Sequence, residues 1–313
     1  MRIPISAETK VSRALPTDLL MLVVVVIWGV NFSVVKLALE QFPPLVFSAL
    51  RFVLAVVALV PLLRLREGRQ QLPPGQFWWL AVLGFIGNTL YQICFVFGLS
   101  LTTAANAALL VATTPALVAL LGAAFGVERI TRRMGWGIAL AVLGVGLIVA
   151  GRGVTLAWHT VAGDALVLVA TFCWAIYTLG VRKFGSEISS LRITTLTMFA
   201  GTPGLLLVGA PDLLRLDWTA IHAGGWMGLG YSAMFALVLA YLLWNTSVRV
   251  VGSARTAIYG CAVPIIAALV AWPVLGERPK PLQVAGAVLI VAGVLLTRRP
   301  ATEPVAPVAA KLR

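Results

Sequence analysis

The chain has 313 residues, 60% of them hydrophobic and only 11% charged. A soluble domain carries roughly 25% charged residues, so a water-facing surface is excluded and a polytopic α-helical protein in a lipid bilayer is expected. The net charge of +13 would suggest nucleic acid in a soluble chain, but the placement of the bases accounts for it differently.

Residues 1–17 are polar and no small-residue cleavage site follows the first apolar run, which therefore reads as a retained span. Ten apolar segments follow in order, at 18–36, 44–63, 76–98, 103–125, 134–150, 162–181, 192–210, 223–245, 254–275 and 281–297. The linkers are short and carry proline, glycine and charge, as in "RLREGRQQLPPG" from Arg64 to Gly75, and leave no room for a soluble catalytic domain. With both termini on one side, that side holds eighteen Lys and Arg; the other holds four, Arg152, Arg215, Arg278 and Lys280. The positive-inside rule puts both termini in the cytoplasm. The basic balance is topology, and no nucleic-acid partner is implied. Cys94, Cys173 and Cys261 lie far apart in apolar segments and read as packing residues, so no metal or cofactor is expected.

The first segment carries the polar stretch "WGVNFSVVK" from Trp28 to Lys36. At about 1.5 Å per residue, Trp28 falls near the bilayer midplane, Asn31 deeper than outside water reaches, and Lys36 at the outer interface. Lys36 reads as a snorkelling anchor paired with Glu40. Asn31 should face a cavity, because an unpaired buried amide is costly. Ser33 should return its hydroxyl to the Gly29 carbonyl. In the second segment Arg51 lies roughly 10 Å inside the outer edge. It should point into the bundle, toward carbonyls, Asn31 or a substrate carboxylate, since facing lipid costs several kcal/mol. Asp18 and Asp164 read as helix-start caps. Every other acid falls in a loop, tail or helix end, leaving no carboxylate at mid-membrane, and Glu128–Arg129 and Glu277–Arg278 are expected to pair locally.

The chain repeats itself. Pro115 and Pro264, Glu128 and Glu277, Gly137 and Gly286, and Gly144 and Gly293 are each 149 apart; Asp18 and Asp164, Trp28 and Trp174, and Lys36 and Arg182 are each 146 apart. The expected fold is all-α, ten transmembrane helices in two inverted five-helix repeats: a tail at 1–17, repeats at 18–151 and 162–298, and a tail at 299–313. Five is odd, so the second repeat enters from the opposite side, the plan of secondary transporters with a site near the midplane.

"LVVVVIWGVNFSVVKLAL", "PPLVFSALRFVLA", "AANAALLVATTPALVALLGAAFGVERIT", "FCWAIYTLGVRK" and "AVPIIAALVAWPVLGERP" resemble EamA-type members of the drug/metabolite transporter superfamily over essentially all of 18–298. The resemblance implies ten helices in inverted repeats and, most often, export of amino acids or related metabolites from a bacterial inner membrane. Departures fall mostly in the second half, where Tyr177 stands for Asn31, Thr197 for Arg51 and Arg255 for Asn106; in the first, "GVERIT" lacks the glycine that precedes the glutamate in "LGERP".

Candidate substrate-binding residues are Trp28, Asn31, Arg51, Tyr91, Gln92, Trp174, Tyr177, Tyr241, Trp244, Asn245 and Tyr259. They are polar tips and aromatic bodies well inside their spans, the composition of a small-molecule site. Trp78, Trp79, Trp136, Trp158, Trp218 and Trp226 sit near span ends as an interfacial belt. Pro115 and Pro264 interrupt equivalent spans and are candidate hinges. Gly137, Gly144 and Gly151, with Gly286 and Gly293, suit close helix contacts within the chain or across a homodimer. No GxxxxGK(S/T) loop is present, and no HExxH, paired intramembrane carboxylates or nucleophile with its base. A membrane-embedded enzyme is thereby disfavoured. An extruder of drug-like cations, which would want a cavity acid, is the stronger alternative to metabolite export. If the topology holds, an impermeant thiol reagent on intact cells will label a cysteine placed at Thr155 and not one at Gln70, in a cysteine-free background; the reverse pattern contradicts it.

Overall fold

The computed structural model describes residues 17–68, 72, 75–125, 158–184 and 188–297, with scattered positions between 132 and 147. Most of the fifth expected span, Glu128–Arg129, Gly151 and nearly all of both tails lie outside the described residues. All regular structure among the described residues is helical. Among the described residues seven helical rods are long and apolar enough to cross a bilayer, and two shorter apolar helices follow, Gly260–Leu275 and Pro281–Gly293.

The first half runs α1 (Thr17–Ala38), α2 (Pro44–Glu67), α3 (Gln76–Gly84), a π-helical stretch Phe85–Leu90, α4 (Tyr91–Leu101), α5 (Ala104–Val111) and α6 (Thr114–Ala124). The second runs α7 (Trp158–Phe184), α8 (Ser190–Leu214), α9 (Ala223–Tyr231), a π-helical stretch Ser232–Leu239, α10 (Ala240–Val251), α11 (Ser253–Tyr259), a 3₁₀ turn Gly260–Ala262, α12 (Val263–Leu275) and α13 (Pro281–Thr297). Thr103 and Ser189 start α5 and α8 as side-chain caps, accepting from the amides of Asn106 and Arg192.

Pro115 and Pro264 each stand in the first turn of a new helix, α6 and α12, where a missing N–H costs nothing. The interruption is therefore a break between two short helices in both halves, rather than a kink within one. In the first half it is repaired locally: Thr113 and Thr114 hydroxyls donate to the carbonyls of Leu110 and Val111 at 2.7 and 2.6 Å. The π-helical stretches have no signature in the hydropathy pattern. The 149-residue offset nevertheless maps Phe85–Leu90 into Ser232–Leu239, so the same wide turn occurs at the same place in each half.

The halves interleave. α1 packs on α12, α4 on α7, and α2 on α8. The glycine of "WGVNF" is explained by this: a Cβ on Gly29 would stand 2.5 Å from the Ile266 Cβ, so only glycine admits α12 at that distance. Of the glycines expected at close contacts, Gly144 meets the Gly286 carbonyl, a contact within the chain. Gly29→Ala should destabilise the protein by about 1–3 kcal/mol through overpacking, whereas Gly230→Ala, which meets nothing within 4 Å, should not. Thermal unfolding of the two purified variants checks this, and equal midpoints would contradict the packing.

Candidate substrate cavity between the halves

A cavity of about 60 Å³ lies where α1, α2 and α4 meet α7, α10 and α11. Its aromatic wall follows from spacing on the helices. Tyr91 and Phe95 are one turn apart on α4 and stack at 5.5 Å. Trp28 on α1 meets Trp174 at 5.7 Å, Trp244 at 5.1 Å and Tyr241 at 6.2 Å, all three from the other half. Its indole N–H donates 3.0 Å to the Ala236 carbonyl in the second π-helical stretch, and the Tyr231 hydroxyl donates 3.1 Å to the Ile27 carbonyl. These two bonds staple α1 to the opposite half.

Arg51 is buried, 1% exposed. Its Nη1 donates 2.9 Å to the Ser232 hydroxyl of the second half, its Nη2 donates to the Gln92 side-chain oxygen of the first, and its guanidinium lies over the Phe47 ring at 5.1 Å. It does not turn to Asn31, one of its expected partners, because Gln92 on α4 and Ser232 on the π-helical stretch occupy the fork. No acid is among the described residues that line the cavity. Its Nε finds no hydrogen-bond partner, nor does the Asn31 Oδ1 or the Trp244 Nε1, although all three atoms are buried.

Eight of the eleven candidate residues line this cavity: Trp28, Asn31, Arg51, Tyr91, Gln92, Trp174, Tyr241 and Trp244. Tyr177, Asn245 and Tyr259 are not part of its lining. Asn245 Nδ2 donates to the Tyr177 hydroxyl at 2.9 Å and to the Thr194 hydroxyl at 2.8 Å, which ties these groups into a network behind the wall. Tyr259 is half-buried against the same aromatic core. Of the candidate hinges, Pro115 is buried beside the Thr114 that lines the cavity, and Pro264 next to Val263. The sequence reading missed Phe95 and Ser232. Phe95 carried a signal, since it is the repeat mate of Trp244 and one turn from Tyr91; Ser232 carried none, its mate being Leu83.

Three further expectations are corrected. Lys36 does not form its expected pair with Glu40: its Nζ donates instead to the carbonyls of Leu99 at 2.8 Å and Thr102 at 2.5 Å. It thus caps the free carbonyls at the end of α4, where a cation meets the negative end of the helix dipole. Arg182, its repeat mate, lies by Gly252 at the end of α10, with Nη1 3.0 Å from where a Cβ would stand. Asp164 is no helix start, because α7 begins at Trp158; it is buried inside α7 and accepts from the Thr102 hydroxyl at 2.7 Å. Ser33 does not return its hydroxyl to Gly29 and has no partner where it is buried. Glu277 reaches beyond its own loop to accept the Ala104 amide at 3.1 Å, capping α5. On the opposite side Glu67 pairs with Arg192 at 3.4 Å and accepts from Ser189 at 2.5 Å.

Residues 15–150 and 161–299 each match the model described as the EamA-like transporter family. The uncharacterized transporter YyaM of Bacillus subtilis is 30% identical over 85% of this chain and 88% of its own. A probable amino-acid metabolite efflux pump of Salmonella typhimurium is 29% identical, over 88% of this chain and 93% of its own. One crystal structure superposes with a TM-score of 0.63 at 18% identity, covering 90% of this chain and 95% of that one, which speaks to the fold alone.

Proposed function

This chain belongs to the EamA-like transporter family, and on that premise we propose that it is a secondary exporter of an amino acid or amino-acid derivative in a bacterial inner membrane. Its ten helices form two inverted repeats, at 18–151 and 162–298, between cytoplasmic tails at 1–17 and 299–313. They rock about the cavity that both halves wall.

The observation that carries the reading is the cavity itself: aromatic, shared by the two halves, furnished with a few buried polar tips. The cavity measures only about 60 Å³. Small-molecule pockets run to about 300–1,000 Å³. The cavity is therefore contracted, and its walls must separate to admit a metabolite. The breaks before Pro115 and Pro264 sit beside the wall in both halves, where two short helices can swing against each other. Relatives named as amino-acid metabolite efflux pumps support the substrate class. A drug-like cation fits less well, because the wall holds a guanidinium and no carboxylate.

Trp28 supplies wall and Asn31 an orienting hydrogen bond. Asn31→Ala should keep near-normal expression and thermal midpoint but lower export; Trp28→Ala should lower export too, and also the midpoint, because its ring and N–H tie α1 to the opposite half. For Asn31→Ala the fall in apparent affinity should be about ten- to a hundredfold, as for loss of a hydrogen bond to a charged group. Export of labelled metabolite pools from overexpressing cells, followed by transport in proteoliposomes with the metabolite so found, checks this. Parental transport by both variants would move the site elsewhere.

A further inference from the structure

The repeat lets the two halves be compared position by position. Asn31, Ser48 and Arg51 of the first half correspond, at an offset of 146, to Tyr177, Thr194 and Thr197 of the second. In the second half the three corresponding hydroxyls are paired, the Asn245 Oδ1 alone being left over. Asn245 bridges the Tyr177 and Thr194 hydroxyls, and the Thr197 hydroxyl lies 3.4 Å from that of Tyr177 and donates 2.8 Å to the Ile193 carbonyl. The first half has no equivalent bridge, because the mate of Asn245 is Val96. Its set is open: Asn31 Oδ1, Ser48 Oγ and Arg51 Nε all lack partners.

What is missing from the open set has a definite chemistry. Arg51 brings a full positive charge into a site 1% exposed, and its protein partners, Gln92 and Ser232, are neutral. Arg51 Nε and Trp244 Nε1 are both donors and nothing else; both belong to cavity-lining residues and neither is used. A buried cation without a counter-charge is costly, and its own unused Nε, with the unused Trp244 Nε1 in the same cavity lining, calls for acceptor oxygens. The rest of the wall, Tyr91, Phe95, Trp28 and Trp174, asks for an apolar body. Among the described lining residues no acid is present to receive an ammonium, and the unused Asn31 Oδ1 is a neutral acceptor that an acylated N–H satisfies as well as an amine does.

Building on the export reading, we infer that the transported species is recognised by a carboxylate held at Arg51 Nε and Trp244 Nε1, on an apolar body, with a free α-amino group dispensable. One guanidinium neutralises one carboxylate; a phosphate dianion would leave a net negative charge in a dry pocket. N-acylated amino acids and other hydrophobic monocarboxylates fit this demand better than bases or amides of the same body.

The test uses the full chain in nanodiscs and its own tryptophan fluorescence, since Trp28, Trp174 and Trp244 line the cavity. Matched pairs are titrated: N-acetyl-leucine against N-acetyl-leucinamide, N-acetyl-phenylalanine against its amide, and leucine against leucinamide. Each acid should bind at least about tenfold more tightly than its amide, and N-acetylation should not abolish binding. Trp244→Phe keeps the ring but loses the donor, and should weaken acids while leaving amides unchanged. Arg51→Gln should erase the difference between acid and amide; the parental comparison stands even where that variant does not fold. Amides binding as tightly as acids, or silence across all pairs, would overturn the carboxylate inference. Neither result touches the export reading, which falls only if overexpressing cells export nothing or the cavity variants transport as the parent does.

Discussion

The Arg51 guanidinium sits in the seam between two halves of a membrane protein, held from one side by Gln92 and from the other by Ser232. A charge at that depth tolerates no lipid contact, so the helices that surround it must meet there with their polar groups turned inward. That requirement explains much of the interior. α1, α2 and α4 converge on α7, α10 and the second π-helical stretch. The aromatic rings wall the remaining space, and a few buried polar tips are left without protein partners. Removing a buried charge's partner costs about 3–5 kcal/mol in typical measurements, so an arginine kept at 1% exposure with neutral partners points to a use that offsets its burial.

The ends of the bundle obey the same rule by different means. Where helices stop inside or near the membrane, their last carbonyls and first amides need partners. Lys36 takes the carbonyls at the end of α4, Glu277 takes the Ala104 amide at the start of α5, and Asp164 holds the Thr102 hydroxyl between them. Each bond joins an element of one half to an element of the other or to its neighbour, and all three lie at one end of the bundle. Glu67, Ser189 and Arg192 form the corresponding polar cluster at the other end, with Arg249 donating 3.1 Å to Ser190. Such bonds are exchangeable for water when an end opens, which keeps the cost of opening modest.

Much of this was legible in the residues. Apolar runs located the rods, since hydropathy over about twenty residues is a strong signal in a bilayer, and the 146- and 149-residue offsets disclosed the duplication. Depth along a straight helix was enough to single out Trp28, Asn31 and Arg51. Azimuth was not legible, because a helix that is apolar all round gives no face to read. Tyr177 and Asn245 have the right depth but point at each other behind the wall. The start of α7 at Trp158 lay upstream of the apolar run, so Asp164 was misjudged as a cap when it is interior. Lys36 could not be assigned to the end of α4 without knowing which helices are neighbours. The π-helical stretches depend on tertiary fit and leave no periodic trace.

The central claim is that the two ends of one contracted cavity open in alternation. The direct measurement is a pair of spin-label distance distributions in nanodiscs, Glu40 with Arg278 across one end and Arg66 with Val250 across the other, all of them exposed residues. The account predicts two populations at each end, with the long distance at one end accompanying the short distance at the other as a ligand shifts the balance. A single unchanging distance at both ends, with and without ligand, would contradict it.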